Sequence, residues 1–173
     1  LGERRRLRQA RVTGGARVSD VPDRVEQRRL TFPPSYRLKR RRLIRSLFDR
    51  TRDDVRTVAE GCVRLLYRVV DRAVLGHDVP LQVGFAPGPR AESGVERNRI
   101  RRLLREVYRV HQYTLVDPFV CGPDALILMI LFRGAPAQSD DVKEDLPPAM
   151  TRMATDPQSV ITARSSGPET TPA

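Results

Sequence analysis

The segment SGVERNRIRRLLREVYRV at residues 93–110 carries the strongest structural signal in this chain. Ser93 can accept a hydrogen bond at a helix start, and Glu96, three residues later, completes the capping box that marks such a start. Four apolar residues then recur at helical spacing over about 100° of the surface, as on a face packed against a core. These are Ile100, Leu103, Leu104 and Val107. The segment therefore predicts an amphipathic helix with one buried stripe.

The rest of this predicted helix is almost entirely basic or polar. One flank carries Arg97, Arg101, Arg105 and Tyr108. The side opposite the core carries Asn98, Arg102 and Arg109, and the other flank carries Arg99 and Glu106. Like charges four residues apart repel by about 0.2–0.5 kcal/mol per pair on a free helix. A bound polyanion would offset that repulsion. The alternative interpretation is a solvated, arginine-rich face with no ligand.

Positive charge is concentrated toward the beginning of the chain. Residues 1–50 hold 16 basic and five acidic side chains, an excess that equals the net charge of +11 for all 173 residues. Thirty of the 32 basic residues are arginine, whose planar guanidinium group suits bidentate contact with phosphate. The distribution is typical either of a protein with a polyanionic partner that meets specific surfaces or of a solvated, arginine-rich surface in a compositionally biased proteome.

Several functional classes are disfavoured by the same sequence. The longest apolar run, Ala125–Phe132, has eight residues, far fewer than the roughly 20 of a membrane-spanning helix, so no membrane partner is expected. Cys62 and Cys121 are too few for a disulfide framework; we expect both to be small core residues of a cytoplasmic protein. His77 and His111 lack metal-ligand spacing, and no set of catalytic side chains can be assembled.

The order of predicted elements is that of an α+β domain. Apolar spacing and alternation predict a helix at Ser35–Arg50, strands at Cys62–Val70 and Leu81–Phe85, the arginine-rich helix, and a strand at Asp124–Phe132. Ser139 is predicted to cap a last helix that Pro147 and Pro148 shorten or restart. We expect this domain at residues 31–155, between a disordered basic arm at 1–30 and a disordered tail at 156–173.

The arginine-rich segment resembles the protein subunit of bacterial ribonuclease P. Ten consecutive positions from Arg97 to Glu106 fit the Arg-Asn-Arg helix of that family, and the segment follows Gly84-Phe85 at the distance the family shows. The stretch Ser35–Lys39 with Leu47-Phe48 is similar to the opening of the family. The resemblance covers about residues 35–133.

This resemblance implies both a fold and an activity that the protein shares with an RNA. The implied fold is an α/β sandwich around a four-stranded mixed sheet, with the arginine-rich helix in a left-handed β-α-β crossover, against the usual right-handed rule. The implied activity is assistance to a catalytic RNA, which with Mg²⁺ removes the 5′ leader from precursor tRNA. No small-molecule cofactor is implied. The alternatives are a ribosomal or RNA-assembly protein without enzymatic context and, less favoured, a duplex-DNA-binding protein.

Candidate site residues follow from the charge pattern and from the resemblance together. We expect RNA contacts from Arg37, Lys39, Arg90, Arg97, Asn98, Arg99, Arg101, Arg102, Arg105 and Arg109. The resemblance adds a leader-binding cleft formed by Phe48, Tyr67 and Phe85, in which aromatic rings stack on single-stranded bases. The alternative for these three is a place in the core, and the strand alternation sets Tyr67 among apolar neighbours.

Overall fold

Four strands and four helices make up the computed structural model, which describes residues 30–155. The strands are β1 Arg56–Glu60, β2 Val63–Asp71, β3 Leu81–Ala86 and β4 Asp124–Phe132. The helices are α1 Arg41–Phe48, α2 Gly94–His111, α3 Tyr113–Val116 and α4 Val142–Thr155. The arm and tail predicted to be disordered lie outside the described residues, apart from Leu30.

The sheet is mixed and has the order β1-β2-β4-β3. Strand β2 runs antiparallel to both β1 and β4, whereas β3 runs parallel to β4. The central β4 is apolar at almost every position, and Leu126, Ile127 and Leu128 are fully buried, as expected for a strand covered on both faces. This confirms the prediction made for Asp124–Phe132.

Helices cover both faces of the sheet and so form the expected α/β sandwich. Helices α2 and α4 pack on one face, while α1 packs on the other through Leu43 and Leu47, which are 3% and 2% exposed. Strands β3 and β4 are parallel neighbours joined through α2. The left-handed sense of this crossover stays a prediction from the resemblance.

The first helix is shorter than predicted, because its expected first turns are taken by another element. Residues Pro34–Tyr36 form a 3-10 turn, and Arg37 then forms a parallel β-bridge with Val83. The backbone N–H of Leu38 donates to the carbonyl of Val83 at 2.9 Å. This segment therefore extends the sheet beyond β3 before α1 begins, and the prediction of helix from Ser35 was wrong.

The last helix is longer than predicted and runs through both prolines. Helix α4 contains Pro147 and Pro148, although each lacks the N–H that would bond to the preceding turn. The buried stripe on the same helix offsets that loss, since Leu146, Met150 and Met153 are fully buried. Ser139 lies in a 3-10 turn that precedes α4 and does not cap it, contrary to the prediction.

The two cysteines have opposite environments. Cys62 is buried as predicted, whereas Cys121 is exposed and the prediction that it is a core residue was wrong. Burial, reinforced by the Asp145 carboxyl group, raises the pKa of the Cys62 thiol to about 12. At pH 8 only about one Cys62 in 10⁴ is therefore a thiolate.

We expect iodoacetamide at pH 8 to alkylate Cys121 and to spare Cys62 in the folded protein, because the thiolate is the reactive form. Peptide mass spectrometry after short labelling measures both sites. Unfolding in guanidinium chloride is the control and should expose both cysteines to the reagent. Equal labelling of the two sites in the folded protein would contradict the burial of Cys62.

Candidate nucleic-acid interface

A complete capping box fixes the start of α2. The Ser93 hydroxyl accepts from the N–H of Glu96 at 3.1 Å, and the Glu96 carboxylate accepts from the N–H of Ser93 at 3.2 Å. The predicted capping box is confirmed. Because it sets where the helix begins, it also sets which way each arginine on the helix points.

Tyr108 completes the buried side of α2. The stripe consists of Ile100, Leu104 and Tyr108, each at most 1% exposed, with Leu103 and Val107 half-buried beside it. The prediction that Tyr108 lies on the basic flank was wrong, because the residue is one helical turn beyond Leu104. Its ring packs edge-on against Phe32 and Phe85, with centroids 5.7 Å away in both cases.

Three arginines on one flank of α2 are held by neutral groups. Arg97 Nε donates to the carbonyl of Ala91 at 2.8 Å. Arg101 Nη1 donates to Asn98 Oδ1 at 3.2 Å. The guanidinium carbon of Arg105 lies 5.9 Å from the centroid of the Phe85 ring, a cation–π contact. These contacts order the side chains without neutralising their charge.

The other basic side chains of α2 differ in how far they are neutralised. Nη2 of Arg99 lies 3.5 Å from Oδ2 of Asp140, and Nη2 of Arg109 lies 2.5 Å from Oε1 of Glu106. Ion pairs this exposed contribute about 0–1 kcal/mol, so either arginine can exchange its partner for a phosphate at little cost. Arg102 is exposed and has no acidic partner within residues 30–155. We name the exposed side of α2 that carries Asn98 and the six arginines the arginine face.

The remaining predicted RNA contacts lie off α2. Arg37 and Lys39 are exposed on the segment that pairs with β3. Arg90 is exposed in the loop before α2 and lines a hollow of about 670 Å³ together with Arg133 and the acidic residues Asp141 and Glu144. The structure thus distributes the predicted basic residues over three sites, and only the α2 residues form one continuous face. Their contacts with RNA stay predictions.

The three aromatic residues of the predicted cleft do not lie together. Tyr67 is 1% exposed and belongs to the core beneath α2 and α4. Phe85 is half-buried on the same side, with its centroid 5.6 Å from that of Phe32. Phe48 is 50% exposed on α1, at the opposite face of the sheet. No single surface therefore holds all three rings.

A cleft that the sequence pattern did not predict lies between α1 and the sheet, beside Phe48. It has a volume of about 420 Å³, and its lining combines apolar Leu66 and Leu131 with basic Arg64 and Arg52. Alternation along β2 directs Arg64 and Leu66 to this face and Tyr67 to the other. That alternation was visible in the sequence, but nothing there indicated that α1 covers the second face of β2.

Charged side chains stiffen the region beside this cleft. Asp54 accepts from Arg52 at 2.8 Å and lies 3.0 Å from Arg68. The hydrogen bond from Arg52 holds the pKa of the Asp54 carboxyl group below its usual range. Burial lowers the pKa of the Arg68 guanidinium group, against the attraction of Asp54. This arrangement leaves more positive than negative charge beside Phe48.

Two further observations concern membranes and metals. Among the helices in residues 30–155, none has the length and apolar character needed to cross a bilayer. Over the same residues, no three histidine, cysteine or carboxylate side chains converge on a point where a metal ion could bind.

The chain is similar to known proteins over most of its described part. The family model described as Ribonuclease P matches residues 32–154. A curated ribonuclease P protein component from Natranaerobius thermophilus is 44% identical over 52 residues, which cover 30% of this chain and 41% of that protein. The chain thus matches less than half the length of that relative.

Solved structures of similar proteins include two RNase P proteins. The protein from Staphylococcus aureus is 18% identical, and the match covers 66% of this chain and 92% of that one with a TM-score of 0.46. The protein from Thermotoga maritima is also 18% identical, with coverages of 67% and 96% and a TM-score of 0.47.

Proposed function

The chain belongs to the ribonuclease P protein family, and on that premise we propose that it assists a catalytic RNA in removing the 5′ leader from precursor tRNA. The protein binds both RNAs, and the RNA supplies the groups that break the phosphodiester bond. A cytoplasmic location is part of the same proposal.

One observation carries this proposal: the arginine face of α2 is ordered but largely un-neutralised. Arg97, Arg101 and Arg105 are positioned by a carbonyl, an amide oxygen and an aromatic ring. Guanidinium groups oriented in advance lose less conformational entropy when they bind phosphate. The capped, rigid helix therefore presents a row of phosphate-binding groups to a folded RNA.

Mg²⁺ enters the proposal through the RNA. This hard cation prefers oxygen ligands and commonly binds phosphate groups while keeping several of its waters. The described residues offer no converging set of metal ligands, so we assign no step to an ion held by this chain. Its arginines contribute positive charge that lets RNA phosphates approach one another.

The cleft beside Phe48 is the proposed site for the single-stranded leader. Phe48 offers an exposed ring on which a base can stack. Arg64 and Arg52, which line the same cleft, can contact the flanking phosphates. We propose this cleft for the leader in place of a surface shared by Phe48, Tyr67 and Phe85.

Phe48→Ala should weaken binding of leader-containing precursor tRNA to the assembled complex about 5- to 150-fold, since a base–aromatic stack contributes about 1–3 kcal/mol. The affinity for mature tRNA should not change. Comparing the two dissociation constants measures the effect. Val95→Ala is the control, because Val95 is 80% exposed and does not line the cleft. An equal loss for both tRNAs would exclude Phe48 from leader binding.

Reconstitution tests the proposed function directly. The protein, the catalytic RNA from the same genome and a precursor tRNA are combined at low Mg²⁺, and release of the 5′ leader is followed over time. We expect the protein to accelerate release and to cleave nothing without the RNA. No acceleration, with equal affinity for tRNA with and without its leader, would instead favour a structural RNA-binding protein.

A further inference from the structure

A second basic pocket lies where the segment before α1 meets the start of β3 and the turn that follows β2. It has a volume of about 230 Å³. Its polar lining residues are Ser35, Arg37, Lys39, Arg40, His77 and Gln82. The pocket contains no residue of α2 and is separate from the cleft beside Phe48.

The lining of this pocket is strongly cationic. Among its described lining residues there are three permanent positive charges and no carboxylate. Arg40 Nη1 donates to the carbonyl of Val74 at 3.2 Å, which holds the guanidinium group in place. Within residues 30–155 neither Arg37 nor Lys39 has an ion pair. Three cations that share one pocket repel one another, and an anion bound between them would relieve the repulsion.

The start of α1 adds to this positive field. Arg40 is the N-cap residue, no side chain caps the helix, and no acidic residue lies in its first turn. The first N–H groups of a helix have no partner within the helix and carry a partial positive charge. Helix starts usually attract acidic side chains, so the free N–H groups of this start, beside the pocket-lining Arg40, favour an anion from outside the chain.

Gln82 supplies an independent and more specific signal. It is 3% exposed, and its Nε2 donates to the carbonyl of Ser35 at 3.2 Å, which fixes the orientation of the amide. Its Oε1 is buried and has no hydrogen-bond partner among the described residues. A buried acceptor without a donor is unfavourable. Because Gln82 lines the pocket, a small shift of its side chain would bring Oε1 into contact with a ligand that supplies a hydrogen-bond donor as well as negative charge.

We propose that this pocket binds one nucleotide of an RNA strand. Its phosphate lies against Arg37, Lys39 and Arg40, and its ribose 2′-hydroxyl donates to Oε1 of Gln82. The 2′-hydroxyl is the group by which a protein distinguishes RNA from DNA at a given site. The inference rests on the proposed function in so far as that function makes RNA the partner.

Interference mapping tests the pocket at the level of single nucleotides. The catalytic RNA and the precursor tRNA are each prepared with random 2′-deoxy substitutions or random ethylated phosphates. Each pool is selected for binding to the wild-type protein or, for precursor tRNA, to the assembled complex. The same selections are run with Gln82→Met, with Arg37→Ala/Lys39→Ala, and with Arg41→Ala/Arg42→Ala. The last is a matched control, because Arg41 and Arg42 are exposed neighbours that do not line the pocket.

We expect one 2′-deoxy position to weaken wild-type binding about fivefold, as for one lost hydrogen bond. Gln82→Met should abolish that interference. Ethylation of the adjacent phosphate should interfere with the wild type and with Arg41→Ala/Arg42→Ala, and much less with Arg37→Ala/Lys39→Ala. The RNA that carries both positions is the source of the nucleotide, so the two pools distinguish the catalytic RNA from the precursor.

Two results overturn the proposal. One is identical interference patterns for the wild type and both pocket variants, and the other is a phosphate position that responds without a neighbouring 2′-deoxy position. Thermal unfolding checks that Gln82→Met folds; if it does not, the double variant at exposed residues still decides the phosphate contact. If the wild type binds neither RNA, the proposed function fails. If the wild type binds and stimulates cleavage but the pocket variants match the control, the pocket inference alone fails.

Discussion

The double substitution Arg101→Ala/Arg102→Ala should lower the affinity for the catalytic RNA about 100-fold or more. Hydrogen bonds to charged groups contribute about 1.5–3 kcal/mol each, and tenfold in affinity corresponds to about 1.4 kcal/mol. Arg101 is held by the Asn98 amide at 3.2 Å and Arg102 is exposed, so neither loses an acidic partner on truncation. Filter binding at several salt concentrations measures the affinity and its salt slope.

The salt slope separates phosphate contact from a change in the folded protein. Each lost contact should reduce the slope of log affinity against log salt by about 0.9 for duplex and about 0.7 for single strands. Lys143→Ala/Arg152→Ala is the matched control. It removes the same charge from exposed residues that pair with Asp140 and Glu60. Equal losses for the two double variants would mean that the arginine face acts only through net charge.

Gly88→Ala should lower the free energy of unfolding by about 2–5 kcal/mol and displace the loop that leads into α2. Gly88 has a φ of +76°, and an added Cβ would lie 2.1 Å from the carbonyl oxygen of Phe132. The left-handed conformation costs about 1–2 kcal/mol for a residue with a side chain. The clash with backbone adds to this, since strained backbone sites cost about 1–3 kcal/mol. Urea unfolding followed by circular dichroism measures the change.

Gly94→Ala provides the control for that substitution. Gly94 is the first residue of α2, and an added Cβ there would meet no atom within 4 Å. Alanine also favours the helix, so we expect unchanged or slightly higher stability, by up to about 1 kcal/mol. A cost for Gly88→Ala no larger than that for Gly94→Ala would contradict the close approach of the loop to β4.

The sequence correctly predicted the elements that depend mainly on residues close together in the chain. The capping box at Ser93 and Glu96 involves residues three apart, and it formed as predicted. The unbroken apolar run Ala125–Phe132 predicted a strand buried on both faces, and this too is confirmed. Both patterns specify their structure without information from distant residues.

Distant contacts decided the elements that were predicted wrongly or missed. Strand β1 has one buried side chain, Val58, so its sequence shows no alternation, and it is a strand because it pairs with β2. Residues 37–39 were predicted to be helical, whereas in the structure this segment pairs with β3 at Val83. Tyr108 was predicted to lie on a polar flank, whereas in the structure its buried ring packs against Phe32.

In the candidate site, too, the features of a single segment were predictable and those that depend on distant contacts were not. The arginine face was predictable because charge and helical period are properties of one segment. The cleft beside Phe48 was not, because α1 and β2 supply opposite walls from separate parts of the chain. Register along β2 also determined that Arg64 and Leu66, and not Tyr67, face that cleft. Pairing of Arg37 with Val83 is likewise invisible in the local pattern.

The bridge between Arg37 and Val83 has a consequence for self-association. An edge strand exposes unpaired backbone groups that can template intermolecular β-structure. At Val83 this edge is occupied by the chain's own Leu38 N–H. The opposite edge, β1, is only five residues long and carries Arg56 and Glu60. Both borders of the sheet are therefore partly protected from pairing with a second chain.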